Sequence, residues 1–323
     1  QFVFSRFCAI SIYKKMDSHY LWKKKASAGK LRKKGRRDEM QSSGIMQILS
    51  KLKIMLNPMF GVQIIKNNRE LLWQLVKRNV ASRYRGSMLG FFWSLAQPLM
   101  MLCVYTFVFS VVFKLRWGER MAETQGGFAL VMFCGMAFYN IFSESVSASA
   151  AVIVQSPNYV KKVIFPLEIL PVAQVLSSCI VGMIWFVMLL IGIFWVNGSL
   201  PWTTVLLPVV LLPLMFFSCG IALFVASLGV YLRDIQYVIG IILQILFFMT
   251  PIFYPISAVP EKYQLPLRMN PLSIMIEQGR DVLLRGQLPD WGFLGVSLLA
   301  GIVVTHLGMV WFYKTKKGFA DVL

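Results

Sequence analysis

Residues 89–113, 128–151, 169–196, 205–232, 237–256 and 292–313 form six apolar blocks in which Glu144 is the single charged side chain. A helix needs about 20 such residues to cross roughly 30 Å of hydrocarbon, and in lipid every backbone polar group must be paired within the segment. Blocks of this length predict an all-α integral membrane protein with six transmembrane helices. Composition agrees: 57% of the 323 residues are hydrophobic and 15% charged, whereas a soluble domain is nearer half apolar and about a quarter charged. Cys103, Cys134, Cys179 and Cys219 fall inside the blocks and Cys8 stands alone, a pattern of free thiols rather than of a disulfide framework.

The net charge of +19 would suggest nucleic acid if it were spread over a folded surface, but twelve of the basic residues crowd into residues 1–45 against three acids. We read that stretch as a basic extension: either a disordered arm on anionic headgroups or sequence foreign to the natural protein, since it begins with Gln1. It lacks the unbroken apolar run and small-residue cleavage site of a signal peptide. Residues 46–88 then read as a cytoplasmic interfacial segment, 89–313 as the six-span domain and 314–323 as a cytoplasmic tail. Orientation follows from the basic residues of short loops, which gather on the cytoplasmic side. Lys66, Arg69, Lys77, Arg78, Arg83 and Arg85 precede the first span, Lys161 and Lys162 follow the second, Arg233 follows the fourth, and Lys314, Lys316 and Lys317 follow the last. Both termini are therefore expected in the cytoplasm, with the chain in the cytoplasmic (inner) membrane.

Two amphipathic features flank the spans. Leu71, Leu72, Trp73, Leu75, Val76 and Val80 share one side of a helical projection, opposite Glu70, Gln74, Lys77 and Arg78, which suits a helix lying in the interface or one packed on protein. Residues 257–291 hold Pro260, Pro266, Pro271 and Pro289, with a helical pattern over 272–284. That spacing predicts a short helical hairpin dipping into the outer leaflet before the last span.

Catalytic chemistry is sparse. His19 and His306 are the only histidines, and no HExxH, Cys-x-x-Cys, GxSxG or GxxxxGK[ST] motif occurs, so we expect no enzyme, no bound cofactor and no metal in this chain. The ionisable residues near membrane depth, Glu144, Glu168, Arg233, Asp234, Glu277, Arg280 and Asp281, each require a partner or water. Arg233 with Asp234, and Arg280 with Glu277 or Asp281, are the expected pairs.

Several ordered motifs carry a resemblance. Leu71-Leu72-Trp73-Gln74-Leu75-Val76-Lys77-Arg78-Asn79, then Arg83-Tyr84-Arg85-Gly86-Ser87-Met88-Leu89-Gly90, Trp93 and Gln97-Pro98-Leu99, resembles the lead into the first span of polysaccharide-export ABC permeases. Residues 158–171, containing Tyr159, Lys161, Lys162, Phe165, Pro166 and Glu168, are similar to that family's connection between spans two and three. Tyr231-Leu232-Arg233-Asp234-Ile235, then Pro251-Ile252-Phe253-Tyr254-Pro255, Asn270-Pro271 and Arg280, look like its closing half.

The resemblance runs from about Arg69 to the C-terminus. It implies a permease that forms a homodimer, binds two copies of a separate ATPase supplying ATP and Mg, and exports a lipid-linked glycan such as O-antigen, capsule or teichoic acid. The residues themselves offer matching roles. Arg83 and Arg85 lie where a carrier lipid's phosphates would sit, and guanidinium grips phosphate bidentately, although anchoring on the positive side explains the same charges. Trp93, Tyr105, Phe109, Tyr139, Phe253 and Tyr254 offer stacking faces for sugar rings, or else face lipid or a neighbouring helix. Tyr159, Lys161, Lys162, Phe165 and Pro166, bracketed by Pro157 and Pro166, suit docking on the ATPase, with the turn of Arg233 and Asp234 as the second contact. ATP closure of the ATPase pair would then press on these loops and open a path between two permeases. A drug or lipid exporter of related fold is the alternative within the class. A membrane glycosyltransferase or ligase is the alternative outside it, with only Glu261, Glu277, Asp281 and Asp290 on the long connection to serve a reaction.

Overall fold

The computed structural model describes residues 60–85, 90–112, 125–160 and 165–323, and every regular element among them is helical. Two helices lead in, α1 (Phe60–Asn67) and α2 (Arg69–Tyr84). After them come α3 (Trp93–Thr106), which continues as a π-helical stretch Phe107–Val112, α4 (Gln125–Ser149), the single turn α5 (Pro157–Val160) and α6 (Ile169–Asn197). The second half holds α7 (Leu207–Tyr231), α8 (Ile235–Met249), α9 (Glu261–Met269), α10 (Pro271–Arg280) with a π-helical end Asp281–Arg285, α11 (Trp291–Thr315) and α12 (Phe319–Val322).

Among the described residues four helices are long and apolar enough to cross a membrane: Gly126–Ser149, Ile169–Asn197, Trp202–Tyr231 and Trp291–Val322. The blocks at 89–113 and 237–256 give the shorter apolar helices Trp93–Phe109 and Ile235–Met249, about 25 Å and 22 Å long at 1.5 Å per residue. Local sequence sets the end of α8 and weakens the middle of α3. Pro251 forces Thr250 into extended backbone, φ −98° and ψ 137°, and so stops α8; Pro98 interrupts the hydrogen bonds of α3.

The central helix is α4, whose Phe128, Met132, Phe138 and Ile141 are fully buried against α6, α7 and α10. Between α7 and α11 the backbones meet through glycine. A Cβ on Gly220 would lie 2.4 Å from the Val304 carbonyl carbon, and one on Gly308 would lie 2.3 Å from the Gly220 oxygen. With no hydrophobic drive between helices in lipid, such close van der Waals contact is what holds them. Thr305 Oγ1 adds a hydrogen bond to the Phe216 carbonyl at 2.6 Å.

The lead-in helix α2 differs from the expected face. Leu72, Leu75 and Val76, at i, i+3 and i+4, are buried with Ile169, Leu170 and Ala173 at the start of α6. Trp73 is 52% exposed and leaves that face, because it falls about 100° round the helix from Leu72. In the long connection, Asn270 accepts from Leu272 N at 3.0 Å ahead of Pro271, the pattern that starts a helix. The helix expected over 272–284 is α10 with its π-helical end, closed by Gly286 at φ 66°.

Candidate functional site

A row of polar contacts fastens α2 to α6. Residues 76, 79 and 83 recur on one side of α2, and 174, 177 and 178 on one side of α6, as helical periodicity requires. Asn79 Nδ2 donates to Gln174 Oε1 at 3.2 Å, and Arg83 Nη2 to Ser178 Oγ at 3.1 Å. The other end of the Arg83 guanidinium forms an ion pair with Glu144 of α4. Glu144, which required a partner at that depth, has found it on the lead-in helix, a long-range pairing invisible in sequence spacing.

Two cavities meet at this pair. One, of about 870 Å³, is lined by Arg78, Asn79, Gln155, Asn158, Tyr159 and Gln174, with Gln236 from the first turn of α8. The other, of about 530 Å³, is lined by Trp93, Ser94, Gln97, Asn140, Ser143 and Trp185. Arg83, Glu144, Ser147 and Ala148 line both. Hydroxyls, amides and guanidinium groups dominate the larger one, an unusual lining for a chain this apolar. Its volume lies within the range of about 300–1,000 Å³ typical of small-molecule sites.

Arg85 is exposed and lines neither cavity, so the structure separates two arginines that sequence had paired in one role. Trp93 lines the smaller cavity. The other aromatic residues gather elsewhere. Phe109 stacks on Phe253 at 4.7 Å, Tyr105 meets Phe253 edge-on at 5.0 Å, and Tyr139 meets Phe247 at 5.0 Å. Tyr139 also donates to the Leu243 carbonyl. Phe253 and Tyr139 are 1% and 6% exposed, their rings covered within this chain by neighbouring aromatics. Phe247, at the centre, was not singled out in sequence because it sits in an unbroken apolar run. Tyr254 donates to the Phe248 carbonyl at 2.8 Å.

Around the expected docking segment, Tyr159 stacks on Phe165 at 4.4 Å. Arg78 donates to the Tyr159 hydroxyl at 2.9 Å, its guanidinium 5.7 Å from that ring's centre. Pro166 leads into α6, its carbonyl accepting from Ile169 N at 3.1 Å. Lys161 and Lys162 lie outside the described residues. Arg233 and Asp234 are exposed in the turn between α7 and α8, and the expected ion pair between them is not formed. Asp234 instead accepts through its backbone carbonyl from Tyr237 N at 3.1 Å. Glu168 accepts from Tyr313 Oη at 2.7 Å and pairs with Lys316 at 2.8 Å, tying the start of α6 to the end of α11. Arg280 pairs with Glu277 at 2.6 Å, while Asp281 pairs with Arg285. Among the described residues no cluster of His, Cys, Asp and Glu is placed to hold a metal ion.

Sequence comparison supplies what geometry alone does not. The profile of the ABC-2 type transporter family matches residues 70–284. This chain belongs to the ABC-2 type transporter family. The ABC-2 match begins one residue into α2 and ends in the π-helical turn after α10, so it contains both cavities. Among curated relatives, this ABC-2 chain is 30% identical over 257 residues to the O-antigen export system permease protein RfbA of Myxococcus xanthus, covering 78% of this chain and 95% of that one. It is 25% identical to the protein of the same name from Klebsiella pneumoniae, over 79% and 95% of the two chains. With the polysialic acid transport protein KpsM of Escherichia coli it shares 24% identity, over 75% and 92%. An ABC-2 membrane domain with several apolar helices is a multi-pass membrane protein.

Proposed function

We propose that this protein is the membrane subunit of an exporter of lipid-linked polysaccharide, working as a homodimer with two copies of a separate ATPase. The observation that carries the reading is the larger cavity, in which two arginines and a set of amides and hydroxyls offer donors to phosphate and to sugar hydroxyls in an otherwise apolar chain. Relatives named for O-antigen export and polysialic acid transport align over nearly their whole length, which supports the same substrate class. In this reading the short helices α3 and α8 complete six crossings, both termini face the cytoplasm, and α9 with α10 forms the outer-leaflet hairpin.

The coupling route is continuous. Tyr159 and Phe165 contact the ATPase, Arg78 on α2 holds Tyr159, and one and a half turns further along the same helix Arg83 holds Glu144. A push on the loop is thereby delivered to the cavity by a rigid helix rather than by a flexible chain. The test is co-expression with a partner ATPase subunit of the same transporter class. ATP-dependent appearance of glycan at the cell surface, lost when the ATPase phosphate loop is disabled, is the expected result; retention of surface glycan with the disabled ATPase refutes it.

A further inference from the structure

The Arg83–Glu144 pair stands where the two cavities adjoin, and its side chains are 19% and 31% exposed. Glu144 is the only carboxylate among the described residues lining either cavity, whereas Arg78 and Arg83 both line the larger one. An anion that enters the larger cavity meets Glu144 as a carboxylate competitor for Arg83. A carboxylate brings a single charge to the guanidinium. A phosphate ester brings about 1.5–2 charges and three strong acceptor oxygens, in a geometry that the planar fork grips at two points.

We propose that this ion pair is an exchangeable partition: a phosphate or diphosphate headgroup entering the larger cavity takes Arg83, releases Glu144, and joins the two cavities into one path. This rests on the lipid-linked glycan reading and specifies which end of that substrate the protein recognises first. The linings on either side fit the rest of such a molecule. Asn79, Gln155, Asn158 and Gln174 bond to hydroxyls in the larger cavity, and Trp93 gives the smaller one a half-exposed flat apolar face. The hydrogen bond from Arg83 to Ser178 keeps the guanidinium tethered to α6 while its other edge changes partner. Because Arg83 shares α2 with Arg78 and its Tyr159 contact, the exchange is also placed to report occupancy to the docking loop.

The full-length permease, purified with its ATPase, is titrated with radiolabelled farnesyl diphosphate, with farnesol as the uncharged control and inorganic pyrophosphate as the free anion. Thermal midpoints are measured in parallel. Arg83→Gln should weaken farnesyl diphosphate binding roughly tenfold, the size of a lost charge-assisted contact, and Arg83→Lys should weaken it less. Glu144→Gln should tighten binding by about threefold or more, because the internal competitor is gone, and farnesol should respond to none of these changes. Pyrophosphate following the same order identifies the anion alone as the ligand; binding by farnesyl diphosphate without pyrophosphate identifies the lipid headgroup. A brace gives the opposite pattern. If Glu144→Gln binds no tighter than wild type while both variants lose stability together, the pair only fastens α2 to α4 and the proposal is overturned. Wild-type export in the same cells separates the two ideas: normal export without the Glu144→Gln gain removes the partition alone, whereas no ATP-driven export removes the glycan reading.

Discussion

Replacing Arg280 with Met should destabilise the protein more than any surface change. Arg280 is 1% exposed and closes α10. Its Nη1 donates to the Pro251 carbonyl at 3.0 Å and its Nη2 to the Ile252 carbonyl at 3.1 Å, with a longer contact of 3.4 Å from Nε to the Val131 carbonyl of α4. Glu277 neutralises it at 2.6 Å. One guanidinium thus satisfies the chain end that Pro251 left open after α8 and joins it to α4 and α10.

Removing one member of a buried, hydrogen-bonded charge pair costs about 3–5 kcal/mol, an upper bound here because Glu277 is 29% exposed and keeps Arg285 at 3.2 Å. Polar contacts between membrane helices average nearer 0.6 kcal/mol, so three of them set a lower bound of about 2 kcal/mol. At roughly 2–4 °C per kcal/mol for a chain of this class, the melting midpoint should fall by about 4–20 °C. The assay is thermal aggregation of detergent-solubilised protein at fixed scan rate, because unfolding of such a protein is governed by rate. Arg280→Lys keeps the charge but loses the fork, and should recover part of the loss. Gly135→Ala places a Cβ 3.0 Å from Nη2 and should destabilise wild type but add little on top of Arg280→Met, since both act on the same contact. An Arg280→Met midpoint within about 2 °C of wild type, less than 1 kcal/mol on that scale, would refute the reasoning.

Gly220→Val should separate α7 from α11 and lower the midpoint by several degrees, while Gly240→Ala, whose added Cβ meets nothing within 4 Å, should leave it unchanged; equal behaviour of the two would remove glycine packing as the cause. Replacing both Tyr159 and Phe165 with Ala should leave the permease inserted but weaken its co-purification with the ATPase, and full retention with normal export would shift the coupling role to the turn of Arg233 and Asp234. Single cysteines at Ser199 and Glu261 should react with an impermeant thiol reagent in intact cells and one at Asn158 should not. Reaction at Asn158 would invert the topology.

What the sequence determined by itself is the part of the protein governed by local rules. Apolar block length marked the four long helices, because span length is set by the bilayer and not by neighbours. Pro251, Asn270 with Pro271, and Gly286 punctuated the chain where their backbone chemistry demands, and the ordered motifs from Leu71 to Arg280 pointed to the family that the profile match established. Tertiary structure decided which side chains face which. Arg83 and Arg85 lie two residues apart and looked equivalent, yet the α2–α6 contact turns Arg83 onto Glu144, 61 positions away, and leaves Arg85 exposed. Tyr139 and Phe253 looked available for stacking, yet packing of α3, α4 and α8 closes them over Phe247. Periodicity within one helix fixes the relative angles of its own residues, but a partner's identity depends on how two helices cross. That crossing is set by glycine contacts such as Gly220 with Gly308, where the absence of a side chain leaves no periodic signal to read.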